Sequence, residues 1–276
     1  MRTKPLAKTF TYLILILVTI SLIFPFLWLF LTSIKSEVQL FSVPIKFLPH
    51  PFTMENYIKI FQNKSVFRYL LNSVFISVVT TAVSLIVSIP AAYSIAKYRF
   101  KFGNILLLLI LFIRMVPGIT QLLPYYYIIS KFGFSNTYAG LILIYIPGNC
   151  IFLIMMLQNF FQAFPKDIEE AGEIDGLSPV GIIIRILIPV SLPAISSVTI
   201  INFMGTWNEF MYASIILRNP QLATFPIIIA QKVNAFSTYW GELTSYTVVY
   251  VLPVILFTLF AQKGLVQGLT AGAVKE

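Results

Sequence analysis

Charged residues are scarce in this chain, and their scarcity limits the class of protein. Only 11% of the 276 residues are charged, whereas about a quarter are charged in a typical soluble domain. Hydrophobic residues make up 58%. A chain of this composition cannot cover its surface with groups that water solvates, so we predict an all-α integral membrane protein.

Cysteine and histidine are also nearly absent. The single cysteine, Cys150, excludes an intrachain disulfide. With only His50 beside it, no zinc or haem site can be assembled, so we expect no metal or cofactor in this chain. No Ser/His/Asp set and no carboxylate pair within one apolar segment points to an enzyme.

A nucleotide-binding loop is missing as well. The P-loop motif requires Gly-Lys-Ser/Thr, and none of the 13 glycines is followed by lysine. The chain is therefore not expected to hydrolyse ATP. Its net charge of +9 does not lie in a basic stripe interleaved with aromatics, so we expect no nucleic-acid partner. The basic residues are better explained by membrane topology and by contact with anionic lipid headgroups.

Six apolar segments are each long enough to cross a bilayer, which takes roughly 20 helical residues. They lie at roughly 11–32, 70–96, 104–127, 138–160, 187–212 and 244–263. The first is rich in Leu, Ile and Phe, which suits a peripheral helix facing lipid. The second is rich in Ser, Thr and Ala, which lets helix backbones approach closely, so we place it in the interior. A slight excess of Lys and Arg favours a cytoplasmic N-terminus and, with six spans, a cytoplasmic C-terminus.

Several polar residues fall at or near membrane depth, where they are costly and therefore mark a path or a packing requirement. We take them as a candidate path for solute: Arg114, Asn149, Asn202, Trp207, Asn208 and Glu209. The alternative is structural: the asparagines would form interhelical hydrogen bonds and Trp207 would be an interface anchor. Arg114 could also pair with Glu209. Pro117 and Gly118 predict a kink in the third span.

The stretch at 165–189 is unusual because it places acids and small residues between two apolar spans. Pro165 ends what precedes it, and "KDIEEAGEID" predicts a short helix with acids near its N-terminus. Gly176 supplies the freedom to end that helix, and Ser178 and Pro179 start the next one. The pattern predicts a cytoplasmic helix–turn–helix. Ala171 and Gly172 leave one side of its first helix nearly bare, as docking on a soluble partner requires; the alternative is a helix resting on lipid headgroups.

This stretch resembles the conserved loop of ABC-importer permeases, whose pattern is Glu-Ala-Ala, three residues, Gly, nine residues and Ile-x-Leu-Pro. The corresponding residues here are Glu170, Ala171, Gly172, then Gly176, then Ile186 to Pro189. Gly172 replaces the second Ala and Ile188 replaces Leu, which keeps size or apolarity. The resemblance implies a loop that couples to an ATPase, formed by Glu169, Glu170, Ala171, Gly172, Asp175, Gly176 and Pro189.

Further stretches resemble the carbohydrate branch of these permeases, similar to the smaller membrane subunit of maltose-type importers. They are "NYIKIF", "YLLNSVFIS", "AAYSIAKYRF", "WNEFMYA" and "LVQGLTAGAVKE". The resemblance implies a type I ABC-importer permease fold in a bacterial or archaeal cell membrane. Its expected partners are a dimer of cytoplasmic P-loop ATPases that use ATP and Mg, a second, related permease and an extracytoplasmic sugar-binding protein that delivers the sugar.

The same resemblance divides the chain into three regions. Residues 1–67 hold the N-terminal tail, first span and outer loop, residues 68–263 form a five-helix core with the coupling loop, and residues 264–276 form a cytoplasmic tail. Two other functions stay open at this stage: a secondary transporter or channel that needs no ATPase, and a purely structural membrane scaffold. The scaffold does not explain the fixed spacing from Glu170 to Pro189.

Overall fold

The computed structural model describes residues 5–98, 103–233 and 238–271. Every regular element in these ranges is helical, which confirms the all-α prediction. The α-helices in chain order are α1 (Pro5–Ser33), α2 (Glu37–Leu40), α3 (Glu55–Gln62), α4 (Ser65–Lys97), α5 (Gly103–Met115), α6 (Gly118–Lys131), α7 (Tyr138–Gln162), α8 (Lys166–Ile174), α9 (Pro179–Ile182), α10 (Ile188–Val190), α11 (Leu192–Trp207), α12 (Met211–Ile216), α13 (Phe225–Gln231) and α14 (Trp240–Ala271). A π-helical turn, Ile183–Leu187, joins α9 to α10, and a 3-10 turn covers Pro220–Leu222.

Four helices are each long and apolar enough to cross a membrane: α1, α4, α7 and α14. The predicted third span is instead a broken pair, because α5 and α6 meet at 96°. The kink expected at Pro117 is therefore a full break. Proline has no amide hydrogen to donate and disfavours helical geometry at the residue before it, here Val116.

The predicted fifth span is broken in the same way. The helical run Pro179–Val190 meets α11 at 83°, so the continuous segment predicted at 187–212 is divided at Ser191. Ser191 leaves helical geometry, with φ −88° and ψ 7°, and Pro193 lies in the first turn of α11. Within the described residues, length and composition thus allow up to six spans when each bent pair is counted as one.

The last helix is longer than predicted. The sequence indicated a span at 244–263 followed by a tail at 264–276, whereas α14 continues to Ala271. Residues 264–271 of that tail are therefore helical, and 272–276 lie outside the described residues. No proline follows Pro253 in this part of the sequence, and the helix continues through Gly264 and Gly268.

Contacts divide the chain into two units. The first comprises Met1–Phe67 with Ile228–Pro253. Within it, the Ser33 carbonyl at the end of α1 accepts hydrogen bonds from Asn56 Nδ2 at 2.9 Å and from Ser245 Oγ at 3.1 Å. Gly241 lies so close to Asn56 that an added Cβ would be 2.6 Å from Nδ2. Hydrogen bonds to the Ser33 carbonyl and the close contact between Gly241 and Asn56 therefore connect α1, α3 and the start of α14.

The second unit comprises Arg68–Ile227 with Val254–Glu276. An apolar core joins its helices α4, α7 and α11 and the π-helical turn. The buried members are Ala92, Tyr93, Leu153, Leu157, Phe161, Phe164, Leu187, Ile195 and Val198. The predicted contrast between the first two spans is confirmed: the side chains at 8–27 in α1 are all exposed, whereas a row of Ser and Thr in α4 is buried.

Candidate functional site: a helical hairpin and the polar residues of the apolar spans

The stretch at 165–189 folds as a helix, a tight turn and a second helix, which we call the hairpin. Its first arm is α8, with Asp167 and Glu169 in the first turn, where carboxylates complement the helix dipole. Gly176 ends this arm with φ +81°, a left-handed conformation that favours glycine. The Gly176 amide donates to the Glu173 carbonyl and the Leu177 amide donates to the Gly172 carbonyl, both at 3.0 Å.

The second arm starts two residues after this turn. The Ser178 side chain accepts a hydrogen bond from the Gly181 amide at 3.3 Å, and Pro179 is the first helical residue. The arm then runs through the π-helical turn to Val190. Pro189, the last residue of the motif, cannot donate an amide hydrogen bond, and a π-type turn directly before it accommodates the missing bond.

Gly172 holds the two arms together. It is buried, and an added Cβ would lie 2.7 Å from Ile186 Cδ1 and within ordinary contact of Leu177 and Ile182. An added Cβ would therefore require the end of the Ile186 side chain to shift. The expectation that Gly172 forms part of the bare docking side is therefore wrong: it packs inside the hairpin, and Ala171 is the small residue that faces outward.

Glu169 is also turned inward. Its Oε1 lies 2.9 Å from Lys97 Nζ, and the two side chains are only 12% and 9% exposed. Lys97 is the last residue of α4, and its ammonium group also donates to the Phe164 carbonyl at 2.9 Å. The ammonium lies 5.5 Å from the centre of the Phe164 ring. Two spans and the hairpin thus meet at one buried charge pair.

The outward surface of the hairpin is acidic and partly apolar. Its exposed acids are Asp167, Glu170, Glu173 and Asp175. Among them, Ile168 is 41% exposed and Ile174, at the tip, is 87% exposed. The outward surface therefore combines four carboxylates with two exposed isoleucines.

The polar residues at membrane depth do not form one site. Arg114 is exposed near the end of α5, with its guanidinium 5.5 Å from the centre of the Phe152 ring. It lines a pocket of about 280 Å³ at the break between α5 and α6, together with Gln121, Tyr125 and Gly148. A cation, an amide and a phenol around such a pocket could bind the hydroxyl groups of a small solute.

Glu209 is occupied by its own chain. Its Oε1 accepts from the Tyr212 amide at 2.9 Å, and its Oε2 accepts from the Ala213 amide at 3.1 Å and from the Tyr145 hydroxyl. The suggested pair between Arg114 and Glu209 is therefore wrong. Glu209 caps the N-terminus of α12, where a carboxylate is stabilised by free amide groups.

The two asparagines bridge helices. Asn149 Nδ2 of α7 donates to Thr206 Oγ1 of α11 at 2.8 Å, and Asn202 Nδ2 of α11 lies 3.4 Å from Thr81 Oγ1 of α4. Thr206 in turn donates to the Asn202 carbonyl at 3.2 Å. These are the interhelical hydrogen bonds that the structural alternative predicted.

Trp207 and Asn208 differ in exposure. Trp207 is 2% exposed and its ring stacks on Phe203, with centroids 5.9 Å apart, so it is not an interface anchor. Asn208 is exposed, and its Nδ2 donates back to the Met204 carbonyl at 2.9 Å. Of the six predicted path residues, only Arg114 lines the described pocket.

Sequence reasoning missed several residues of both sites. Lys97 and Tyr212 stand in stretches that resemble the carbohydrate permeases, but nothing in the spacing of Lys97 links it to Glu169. The Tyr212 ring lies 6.0 Å from Tyr125, and the Tyr212 hydroxyl donates to the Gly118 carbonyl at 3.0 Å. The one available signal was the polar Gln121, which lies seven residues after Arg114 in a mainly apolar third span.

Comparison with known proteins identifies the family. The family described as "Binding-protein-dependent transport system inner membrane component" matches residues 84–270, which include the hairpin and the six predicted path residues. This chain belongs to that family. It is accordingly a multi-pass membrane protein and the permease subunit of an ABC importer.

Several relatives align over almost the entire chain. The sulfoquinovosyl glycerol transport system permease SmoH of Agrobacterium fabrum is 32% identical over 92% of this chain and 89% of its own. The trehalose/maltose permease MalG of Thermococcus litoralis is 30% identical over 100% and 99%. The arabinooligosaccharide permease AraQ of Bacillus subtilis is 31% identical over 92% and 90%.

A solved structure shares the fold. A chain from the crystal structure of a bacterial ABC transporter that imports the acidic polysaccharide alginate superposes with a TM-score of 0.79. The match covers 95% of this chain and 98% of the other at 20% identity. A second alginate transporter structure, in complex with a pentasaccharide-bound periplasmic protein, gives a TM-score of 0.64. The permease fold predicted from the sequence is confirmed.

Proposed function

We propose that this chain imports a sugar or oligosaccharide by alternating access, driven by ATP that two cytoplasmic P-loop ATPases hydrolyse with Mg. A binding protein delivers the sugar at the outer face, and a second, related permease completes the pathway. The chain itself carries no ATPase site and no cofactor, and both of its termini lie in the cytoplasm. The names of the relatives, which carry trehalose, maltose or arabinooligosaccharides, support a sugar as the solute.

The hairpin is the observation that carries this proposal. Its inward residues, Gly172 and Glu169, hold it rigid, whereas its outward surface with Glu170, Ala171 and Ile174 is exposed. When ATP closes the two ATPases, the outward surface moves with them. A rigid hairpin then passes this movement into α11 through the run Pro179–Val190, and a floppy one would dissipate it.

Cross-linking from the hairpin tests the ATPase contact. A single cysteine at Ala171, with Cys150→Ser, is cross-linked in membranes of the native host, and the product is identified by mass spectrometry. Ala163, an exposed alanine that follows α7, is the matched control position. We expect a P-loop ATPase to be captured from position 171 and far less from 163. Free labelling of 171 by a water-soluble thiol reagent, with no ATPase captured, would contradict the proposal.

The energy source separates an importer from a secondary transporter. Right-side-out vesicles keep the outer face of the permease accessible and the ATPases inside. The uptake assay therefore uses such vesicles, loaded with ATP and given the sugar-bound binding protein. We expect transport to require internal ATP and to be lost when the partner ATPase carries an inactive Walker-B carboxylate. Transport that survives this change and follows an ion gradient would favour a secondary transporter instead.

A further inference from the structure

The Lys97–Glu169 pair joins the hairpin to a span that the sequence did not connect with it. One ammonium group contacts the carboxylate of α8 at 2.9 Å and the carbonyl of Phe164, which follows α7, at 2.9 Å. Lys97 itself is the last residue of α4. A movement of α8 can therefore be transmitted directly to the end of α4, without passing through α11.

Helix α4 is suited to pass such a movement on. Its buried face is a row of small hydroxyl residues, Ser73, Ser77, Thr80, Thr81, Ser84 and Ser88. Ser88 Oγ lies 3.5 Å from the Cys150 carbonyl of α7, and Thr81 accepts from Asn202 of α11. Side chains this small have few torsions with which to absorb a displacement, so a shift at the end of α4 reaches α7 and α11 at these two contacts.

We propose that Lys97 is a positioning residue that clamps the hairpin to α4, so that the ATPase stroke drives α4 together with α7 and α11. This inference rests on the proposed function. The clamp is electrostatic: both side chains are nearly buried, so each charge depends on the other for compensation. Removing one partner leaves a buried charge without its counter-ion, and α8 is then free to move without α4.

The test measures coupling in proteoliposomes that hold the complete importer, with its ATPases, second permease and binding protein. ATP hydrolysis stimulated by the binding protein and sugar transport are recorded together. In Lys97→Met and in Glu169→Gln we expect ATP hydrolysis to persist, while the sugar transported per ATP falls at least about tenfold, in line with the strong effect of breaking a buried pair. The charge-swapped variant Lys97→Glu with Glu169→Lys should recover coupling, and the ATP hydrolysis that persists in the single variants separates the clamp from a merely structural role, which would lower hydrolysis as well.

The chain offers a matched control. Lys59 and Glu55 form an ion pair at 2.7 Å whose side chains are 58% and 62% exposed. Exposed pairs contribute little, so Lys59→Met should leave the coupling ratio unchanged. If the Lys97→Met chain fails to assemble with its partners, the charge-swapped variant and the conservative Lys97→Arg variant decide the question, because both keep an ion pair at this position.

The outcomes are distinguishable. A wild-type complex that transports without ATP overturns the proposed function itself. A wild-type complex that is ATP-driven, with full coupling in Lys97→Met, overturns only the clamp. Loss of coupling that neither the charge swap nor Lys97→Arg restores also overturns the clamp, since the ion pair would then not be the feature that matters.

Discussion

The hairpin and the polar cluster around Glu209, which comprises Tyr145, Glu209 and Tyr212, are both small, but they are stabilised by contacts that differ in their separation along the sequence. In the hairpin, Gly176 bonds to Glu173 and Gly181 bonds to Ser178, partners three residues apart. At Glu209, the Tyr145 hydroxyl reaches the carboxylate from 64 residues away. The hairpin can thus move as one piece while its internal contacts persist. The cluster persists only while α7 and α12 keep their relative position, so it is the part that a conformational change would alter.

The largest expected effect is at the turn of the hairpin. Proline is fixed near φ −65° and has no amide hydrogen, so Gly176→Pro fits neither the φ of +81° nor the bond to Glu173. We expect transport to fall by more than about tenfold while membrane insertion is unchanged, because the defect is local. Uptake assays and surface labelling measure the two quantities.

The control for this substitution is Gly176→Asn. Asparagine tolerates the left-handed region better than most residues, and no atom lies within 4 Å of the position of a new Cβ. Most of the transport activity should therefore be retained. Normal uptake in Gly176→Pro would show that the hairpin need not be rigid. The hairpin would then not differ from the cluster around Glu209 in moving as one piece.

The next effect is at the polar cluster. Glu209→Ala leaves the buried Tyr145 hydroxyl and two amide groups of α12 without their acceptor, a loss of about 2–3 kcal/mol of stability. Thermal unfolding of the purified chain in detergent measures it. Tyr145→Phe removes the hydroxyl itself and so leaves no buried donor without an acceptor. Its loss of stability should therefore be clearly smaller. Equal losses in the two variants would mean that the carboxylate has no special role as a cap.

A smaller effect is expected where the hairpin arms touch. Gly172→Ala places a Cβ 2.7 Å from Ile186 Cδ1, the flexible end of that side chain, so we expect a loss of about 1 kcal/mol, at the low end for overpacking, of which the higher helix propensity of alanine offsets a part. Ile186→Val deletes that Cδ1 atom, so the double variant should regain most of the lost stability. Thermal unfolding of both single variants and of the double variant measures the coupling between the sites. Simple addition of the two losses would contradict the packing.

The smallest effect is at the start of the second arm. Ser178→Ala removes the oxygen that accepts from the Gly181 amide, a capping loss of about 1 kcal/mol or less. Hydrogen exchange of the segment 178–190 should accelerate, while exchange around Tyr145 stays the same. Ser178→Thr keeps the hydroxyl and should restore slow exchange. Faster exchange in both segments would mean that the two regions are not independent.

Much of the fold could be predicted because membrane depth imposes a length on apolar runs, and because Gly176, Ser178 and Pro179 act on their immediate neighbours. The bends could be predicted only in part. Pro117 indicated a kink but not an angle of 96°, and Pro189 and Pro193 flank the break at Ser191 without indicating its angle of 83°. Both angles are set by what the adjoining helices pack against.

The sequence by itself determined the all-α membrane fold, the family and the helix–turn–helix at 165–189, because hydropathy and turn chemistry act over a few neighbouring residues. Only the tertiary structure decided which way each polar side chain faces. In the folded chain Gly172 and Glu169 face inward, and Lys97 contacts Glu169. Glu209 accepts hydrogen bonds from the amides of α12 and does not pair with Arg114. The physical reason is that a charge or an amide takes the nearest suitable partner in space, and that partner is fixed by helix packing across many residues of sequence.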